Sequence, residues 1–277
     1  MLAALNTLAG ILLPEDGASK NADDIAELYA LILVMALVVF VGVEGALIWF
    51  MIKFKARRGR VAAQIHGNTR LEIGWTVGAA VILVFITVVT FIKLPGIKNP
   101  AASDIDANGN QVASAALLAS TDQPAVPKGA KLNIVVDGQQ YVWRFQYPRQ
   151  DDKEVFAYEE MVVPVGMTVT LDITADDVAH SWWIPALGGK MDAIPGYTNK
   201  TWFKADRAGS FSGQCAELCG RNHANMLARV RAVPFDEYQS WYDQQAADIK
   251  AAREEGARQR AEILKQEREA AEQAESE

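Results

Sequence analysis

The sequence predicts a membrane-anchored all-β protein: a two-helix transmembrane hairpin, a β-sandwich outside the cytoplasm and a C-terminal helical tail. Three observations carry this reading. Two apolar runs lie close together in the first third of the chain. A strongly basic loop joins them. Residues 131–235 are then a succession of short alternating runs broken by Gly, Pro and Asp.

Residues 1–27 form an extracytoplasmic N-terminal segment. Its start, MLAALNTLAGILLPEDGASK, is apolar but short, and fits a processed leader as well as a mature end. Residues 28–94 are the hairpin. Leu28–Ile52 is 25 residues long with Glu44 as its single charge, and Ile73–Ile92 is 20 residues long with none. A helix rising ~1.5 Å per residue crosses a bilayer core with about 20 apolar residues. A cleavable signal has a shorter apolar core and a basic start, whereas the first run follows an acidic segment. The connecting loop, KFKARRGRVAAQIHGNTR, carries six Lys and Arg and no acid, so it stays in the cytoplasm and both ends of the hairpin face outward.

Residues 95–130 are rich in Ala, Ser, Asn and Pro and read as a linker or insertion. Runs such as KLNIVV, QQYVWRFQY and MVVPVGMTVTLDIT make residues 131–235 a sandwich or barrel of short strands. Residues 236–277 are dense in Ala, Glu, Gln, Arg and Lys and contain no proline, which favours a solvated helix. Its only aliphatic stripe, Ile249, Ile263 and Leu264, is thin. That favours a frayed surface helix or tail over a partner-binding one. The net charge of −7 gathers at the two ends of the chain, and no basic face accompanies a compact domain, so nucleic acid is excluded as a partner.

The chemistry is concentrated in CAELCGRNHANM, residues 215–226. It holds both cysteines of the chain, one of three histidines and a methionine, spaced C-x3-C-x3-H-x2-M. Two cysteines outside the cytoplasm ordinarily form a disulfide. A bond closing so small a loop would restrain the unfolded chain little. His223 and Met226 follow at short offsets, and His180 in DDVAHSWW lies between two predicted strands. Soft thiolate and thioether donors suit copper, whereas zinc has no use for a thioether. A blue-copper site takes two His, one Cys and a weak Met. The second cysteine here allows two thiolates to bridge two coppers, with a backbone carbonyl of the C-x3-C loop as a further weak donor.

AHSWWIPALGGKMDAIPGYTN followed by GQCAELCGRNHANM resembles subunit II of the cytochrome c oxidases, and the resemblance covers residues 28–235. It implies a cupredoxin-like Greek-key sandwich with a dinuclear CuA centre. The implied copper ligands are His180, Cys215, Cys219, His223 and Met226, with Glu217 giving its backbone carbonyl. The Glu217 side chain would face a magnesium ion shared with subunit I. Glu72, in LEIGWT, sits where the family has the mouth of a proton pathway; alternatively it is an acid favouring a helix N-terminus. The family's aromatic motif G-x-Q-W-x-W is GQQYVW here, so Tyr141 and Trp143 stand where electrons come in, with core packing as the plainer role. Asp177 is the implied donor-docking acid. The acids Asp151, Asp152, Glu154, Glu159 and Glu160 read as a solvated loop, and Glu44 as a hydrogen bond to subunit I.

The implied function is electron transfer. The centre would take electrons from a cytochrome c-type donor and pass them to haem in subunit I, where oxygen becomes water with coupled proton translocation. The chain would be an oxidoreductase and translocase subunit, inactive alone. Its partners would be subunit I bearing haem and CuB, subunit III, the donor and membrane lipid. No C-x-x-C-H haem motif is present, so the donor is a separate protein. A quinol-oxidase counterpart would lack the copper ligands, and nitrous oxide reductase would add a propeller domain. A copper-delivery protein would want an exposed, exchangeable site.

Overall fold

The computed structural model describes residues 12–55, 59, 61, 64, 66–110, 131–150 and 153–275. Helices α1 (Lys20–Lys53) and α2 (Thr69–Lys98) form the hairpin. Both are long and apolar enough to cross a membrane, and neither is buried within the chain. Each outruns its apolar stretch at the outer end, where polar residues find partners on the β domain. Asn21 donates to the Trp202 carbonyl at 2.7 Å, and the Trp202 indole donates to the Ile97 carbonyl at 2.9 Å. Asp24 meets Lys20 at 2.6 Å and Lys93 at 3.1 Å, while Lys93 also pairs with Glu27. The top of the hairpin is thereby pinned to the domain above it. At the other end Asn68 caps α2, its side chain accepting from the Leu71 N–H at 3.2 Å.

Among the described residues the domain has ten strands: β1 (Lys131–Gln139), β2 (Val142–Gln146), β3 (Phe156–Tyr158), β4 (Glu160–Pro164), β5 (Thr168–Ala175), β6 (His180–Trp182), β7 (Met191–Ala193), β8 (Asn199–Lys204), β9 (Gly209–Gln214) and β10 (Leu227–Val233). One sheet runs β3-β2-β1-β5-β8 and the other β4-β10-β9, with β6-β7 as a small ribbon. Both larger sheets are mixed, since β1 pairs with β5, and β4 with β10, in parallel. The chain crosses sheets at β4 and returns at β5, which places those parallel neighbours side by side. Alternation fixes the inner face: Leu132, Ile134 and Val136 of β1 are buried, and their neighbours Lys131, Asn133 and Val135 are exposed. Trp143, Phe145, Met161, Leu171 and Phe203 fill the space between the sheets.

Helix α3 (Phe235–Glu275) corrects the reading of the tail. Its first turns are part of the domain. Tyr238, Tyr242, Ala246 and Ile249 are buried, Trp241 lies 5.0 Å from Tyr147, and the Tyr242 hydroxyl donates to the Pro148 carbonyl at 2.8 Å. The stripe that matters is aromatic, at i, i+3 and i+4, and a count of aliphatic residues passes over it. Beyond Arg253, which still pairs with Glu154 at 2.8 Å, the helix is mostly exposed, with Ile263 and Leu264 about half exposed.

Candidate metal centre

Three stretches of chain converge at one end of the sandwich. His180 opens β6 and is fully buried, its ring edge-on to Trp143 at 5.8 Å. Gly138 leaves room for both rings, because a Cβ there would come within 3.0 Å of each. Cys215 continues β9, and its N–H donates to the Met226 carbonyl at 2.9 Å, so the β9–β10 connection closes as a loop. The next amide, Ala216 N–H, donates to the Ser181 carbonyl at 2.8 Å and fastens that loop to β6. Gly220 has φ +133°, and a Cβ there would sit 2.5 Å from the Tyr141 hydroxyl. Conformation and space both require glycine at that turn.

The donor atoms face one another. Cys215 Sγ lies 3.8 Å from Cys219 Sγ, 3.8 Å from His180 Nδ1 and 3.2 Å from the Glu217 carbonyl oxygen. Cys219 Sγ lies 3.5 Å from His223 Nδ1 and 3.8 Å from Met226 Sδ. Both thiols are free and buried. The ligand atoms of His180, Cys215 and Cys219 all fall within 4.8 Å of one another, the only such His, Cys, Asp or Glu group among the described residues. These separations fit a shared metal site. With tetrahedral angles, metal–sulfur bonds of about 2.3 Å and metal–nitrogen bonds of about 2.0 Å, the S···S edge is ~3.8 Å and the S···N edge ~3.5 Å. The soft donors suit copper.

Burial, then the neighbouring Cys215, pushes the Cys219 thiol up to about 11, so a metal must displace its proton. Asp177 is held below the usual carboxylate range. Burial acts to raise it, but bonds from His180 and from the Gln140 and Val178 amides outweigh that. Its Oδ1 meets His180 Nε2 at 2.9 Å and the Val178 N–H at 2.6 Å, and its Oδ2 accepts from the Gln140 N–H at 2.7 Å. A carboxylate on Nε2 leaves Nδ1 free toward the sulfurs.

The structure therefore brings His180, Cys215, Cys219, His223, Met226 and the Glu217 carbonyl together. The Glu217 side chain is exposed. Tyr141 is half-buried at the rim, over Gly220. Trp143 is wholly buried, so it offers no surface to a donor and lies inside, against His180. The Asp177 carboxylate turns inward to His180, a positioning role that the sequence reading did not assign; the spacing D-x-x-H was its signal. Glu72 stands apart in the first turn of α2, where its Oε1 accepts the Asn68 N–H at 3.1 Å. Asp151 and Asp152 lie outside the described residues. Glu154 and Glu160 are tied into ion pairs with Arg149, Arg253, Arg229 and Arg231. Two features escaped the sequence reading: the reach of Gln140, the glutamine of the aromatic motif, whose Nε2 donates to the Cys219 carbonyl at 2.6 Å, and the buried Asp137 beside Asp176.

Known proteins resemble this chain along most of its length. The model of the cytochrome c oxidase subunit II transmembrane domain matches residues 7–92, and that of the subunit's periplasmic domain matches residues 154–233. Cytochrome c oxidase subunit 2 of Alkalihalophilus pseudofirmus is 35% identical over 85% of this chain, which spans 62% of that longer relative. Cytochrome c oxidase subunit 2 of Cereibacter sphaeroides is 30% identical over 83% of this chain and 78% of its own length. Among solved structures, the periplasmic domain of cytochrome oxidase subunit II from Bradyrhizobium japonicum is 38% identical, covering 42% of this chain and 94% of that one at a TM-score of 0.40.

Proposed function

This chain belongs to the cytochrome c oxidase subunit II family, and from that premise we propose that it is the electron-accepting subunit of a haem–copper oxidase. The observation that carries this is the donor set: two thiols 3.8 Å apart, each with its own histidine nitrogen within 3.8 Å. Two copper ions bound there would share one electron and supply a one-electron store. Cys215, Cys219, His180 and His223 would hold the ions, and Met226 and the Glu217 carbonyl would be weak donors to them. His180 and Met226 are closed to solvent, so water cannot rearrange around those two donors as charge changes. The framework of β6, β9 and β10 holds them in place, which suits transfer without bond-making.

Tyr141, at the rim over the Cys219–Gly220 turn, receives electrons from a cytochrome c-type donor, and the buried Trp143 beside His180 supports the site from within. The exposed Glu217 side chain would help to hold a magnesium ion shared with subunit I. Glu72 marks the cytoplasmic mouth of a proton path, and its bond to Asn68 also caps α2. Glu44 lies beside an apolar groove between α1 and α2 and has no hydrogen bond or ion pair among the described residues. A carboxyl group at that depth is costly in lipid, so it meets a donor on subunit I. The oxygen chemistry and the proton translocation belong to the assembled oxidase, with subunit III beside it.

The test is metal content and electron paramagnetic resonance of the full chain in detergent. Two coppers per chain sharing one electron are expected. Cys215→Ser abolishes that spectrum, while Met226→Leu keeps copper and shifts the potential. A single-copper spectrum at full loading, or Met226→Leu emptying the site as Cys215→Ser does, overturns the assignment. Copurification with a multi-helix haem protein tests the partnership separately.

A further inference from the structure

The metal site is assembled from two loops that come from different sheets, so something must hold them at one spacing. On the inner side the Ala216–Ser181 backbone bond does this. On the outer rim the β1–β2 turn reaches both loops with three consecutive residues. The Gln139 side chain donates to Asp176 at 2.5 Å. Gln140 uses its backbone N–H on Asp177, at 2.7 Å, and its side-chain Nε2 on the Cys219 carbonyl, at 2.6 Å. Tyr141 covers Gly220.

We propose that Gln140 is a positioning residue for the metal centre, a clamp that ties the loop carrying His180 to the loop carrying Cys219. This rests on the metal-centre reading above. Its backbone end holds the carboxylate that orients His180. Its side-chain end holds the peptide of Cys219, whose sulfur must face Cys215, His223 and Met226 together. Among the described residues, Gln140 is the one donor hydrogen-bonded to the Cys219 carbonyl. Losing the amide frees that peptide to turn and carries the sulfur with it. The side-chain bond is the part that substitution can remove, because the backbone N–H survives any change except to proline.

Gln140 is exposed, so substitutions there leave the core untouched. Gln140→Glu keeps the shape and removes the donor. Gln140→Lys keeps a donor of similar reach. Two measurements on the full chain in detergent decide the matter. The first is copper retention against a chelator, with the paramagnetic spectrum. The second, on the metal-free chain, is the rate at which a thiol reagent modifies Cys219. Gln140→Glu is expected to retain copper about 10- to 100-fold less well, the range found when outer-shell partners are lost. Its spectrum should change, and Cys219 should react faster. Gln140→Lys should recover most of each. If Gln140→Glu matches the parent chain in retention, spectrum and thiol rate, the clamp is refuted. If Gln140→Glu and Gln140→Lys fail alike, the donor is not what matters, and the proposal falls too. A parent chain that binds no copper would sink the metal-centre reading instead, and the thiol rates would still judge the clamp.

Discussion

Asp177→Asn isolates what one carboxylate contributes to the centre. Asp177 takes part in three bonds at 2.6 to 2.9 Å: two backbone amides donate to it, and the third partner is the His180 ring. Asparagine keeps the size but has one acceptor oxygen and one NH2 group. Whichever way the amide turns, a donor then faces a donor, and at least one N–H loses its partner. Gln140 and Val178 are exposed, so water can take up a freed backbone amide, and that loss falls below the about 1–3 kcal/mol of an unpaired buried donor. The tautomer of His180 is affected by the same change. Metal on Nδ1 leaves the proton on Nε2, and a neutral amide holds that N–H less firmly than a carboxylate does. Lost outer-shell partners typically cost about 10- to 100-fold in metal affinity, or roughly 1.4–2.8 kcal/mol at 1.4 kcal/mol per tenfold. The assay is a copper competition titration of the full chain with a chelator of known affinity, with the paramagnetic spectrum taken at each loading. Asp177→Asn binding copper within twofold of the parent, with unchanged copper–nitrogen couplings, would show that His180 is oriented by its packing on Trp143 alone.

Three other outcomes are expected. Tyr141→Ala should slow reduction of the centre by reduced cytochrome c in stopped flow at fixed ionic strength, with the spectrum barely changed; an undiminished rate would move electron arrival elsewhere. Asp137 is raised from its ordinary 3.8 to about 6, first by burial and then by its hydrogen bond with Asp176, against a weaker opposing pull from Arg144 and with Asp177 adding repulsion. A raised carboxyl contributes stability that is complete below pH 3.8 and is lost as pH climbs through about 6. Denaturant midpoints should therefore fall over that interval more in the parent than in Asp137→Asn, and identical pH profiles would refute the raised carboxyl. Tyr242→Ala removes a wholly buried ring and the bond to Pro148, so it should destabilise the domain by about 3–5 kcal/mol in urea unfolding followed by tryptophan fluorescence; a loss below about 1 kcal/mol would mean that α3 only rests on the sandwich.

The local chemistry was legible without a structure. Twenty or more apolar residues in a row have few ways to satisfy their backbone except as a membrane helix, so α1 and α2 could be read directly, along with the basic loop that orients them. The sulfur and imidazole of residues 215–226 were equally plain, because ligands on one short loop lie close in space whatever the rest does. His180 was harder, and its membership rested on resemblance, since 35 residues separate it from Cys215. Only the tertiary structure decided how far apart the sulfurs stand, which way the Asp177 carboxylate turns and that Trp143 is interior. It also decided that the start of α3 is part of the core, because Tyr238 and Tyr242 can bury themselves only against residues such as Tyr147 that arrive from another strand. Gln140 shows the reason most clearly. Its partner lies 79 residues away, in a loop on the other sheet, and no local pattern records a bond that exists only once two sheets have packed.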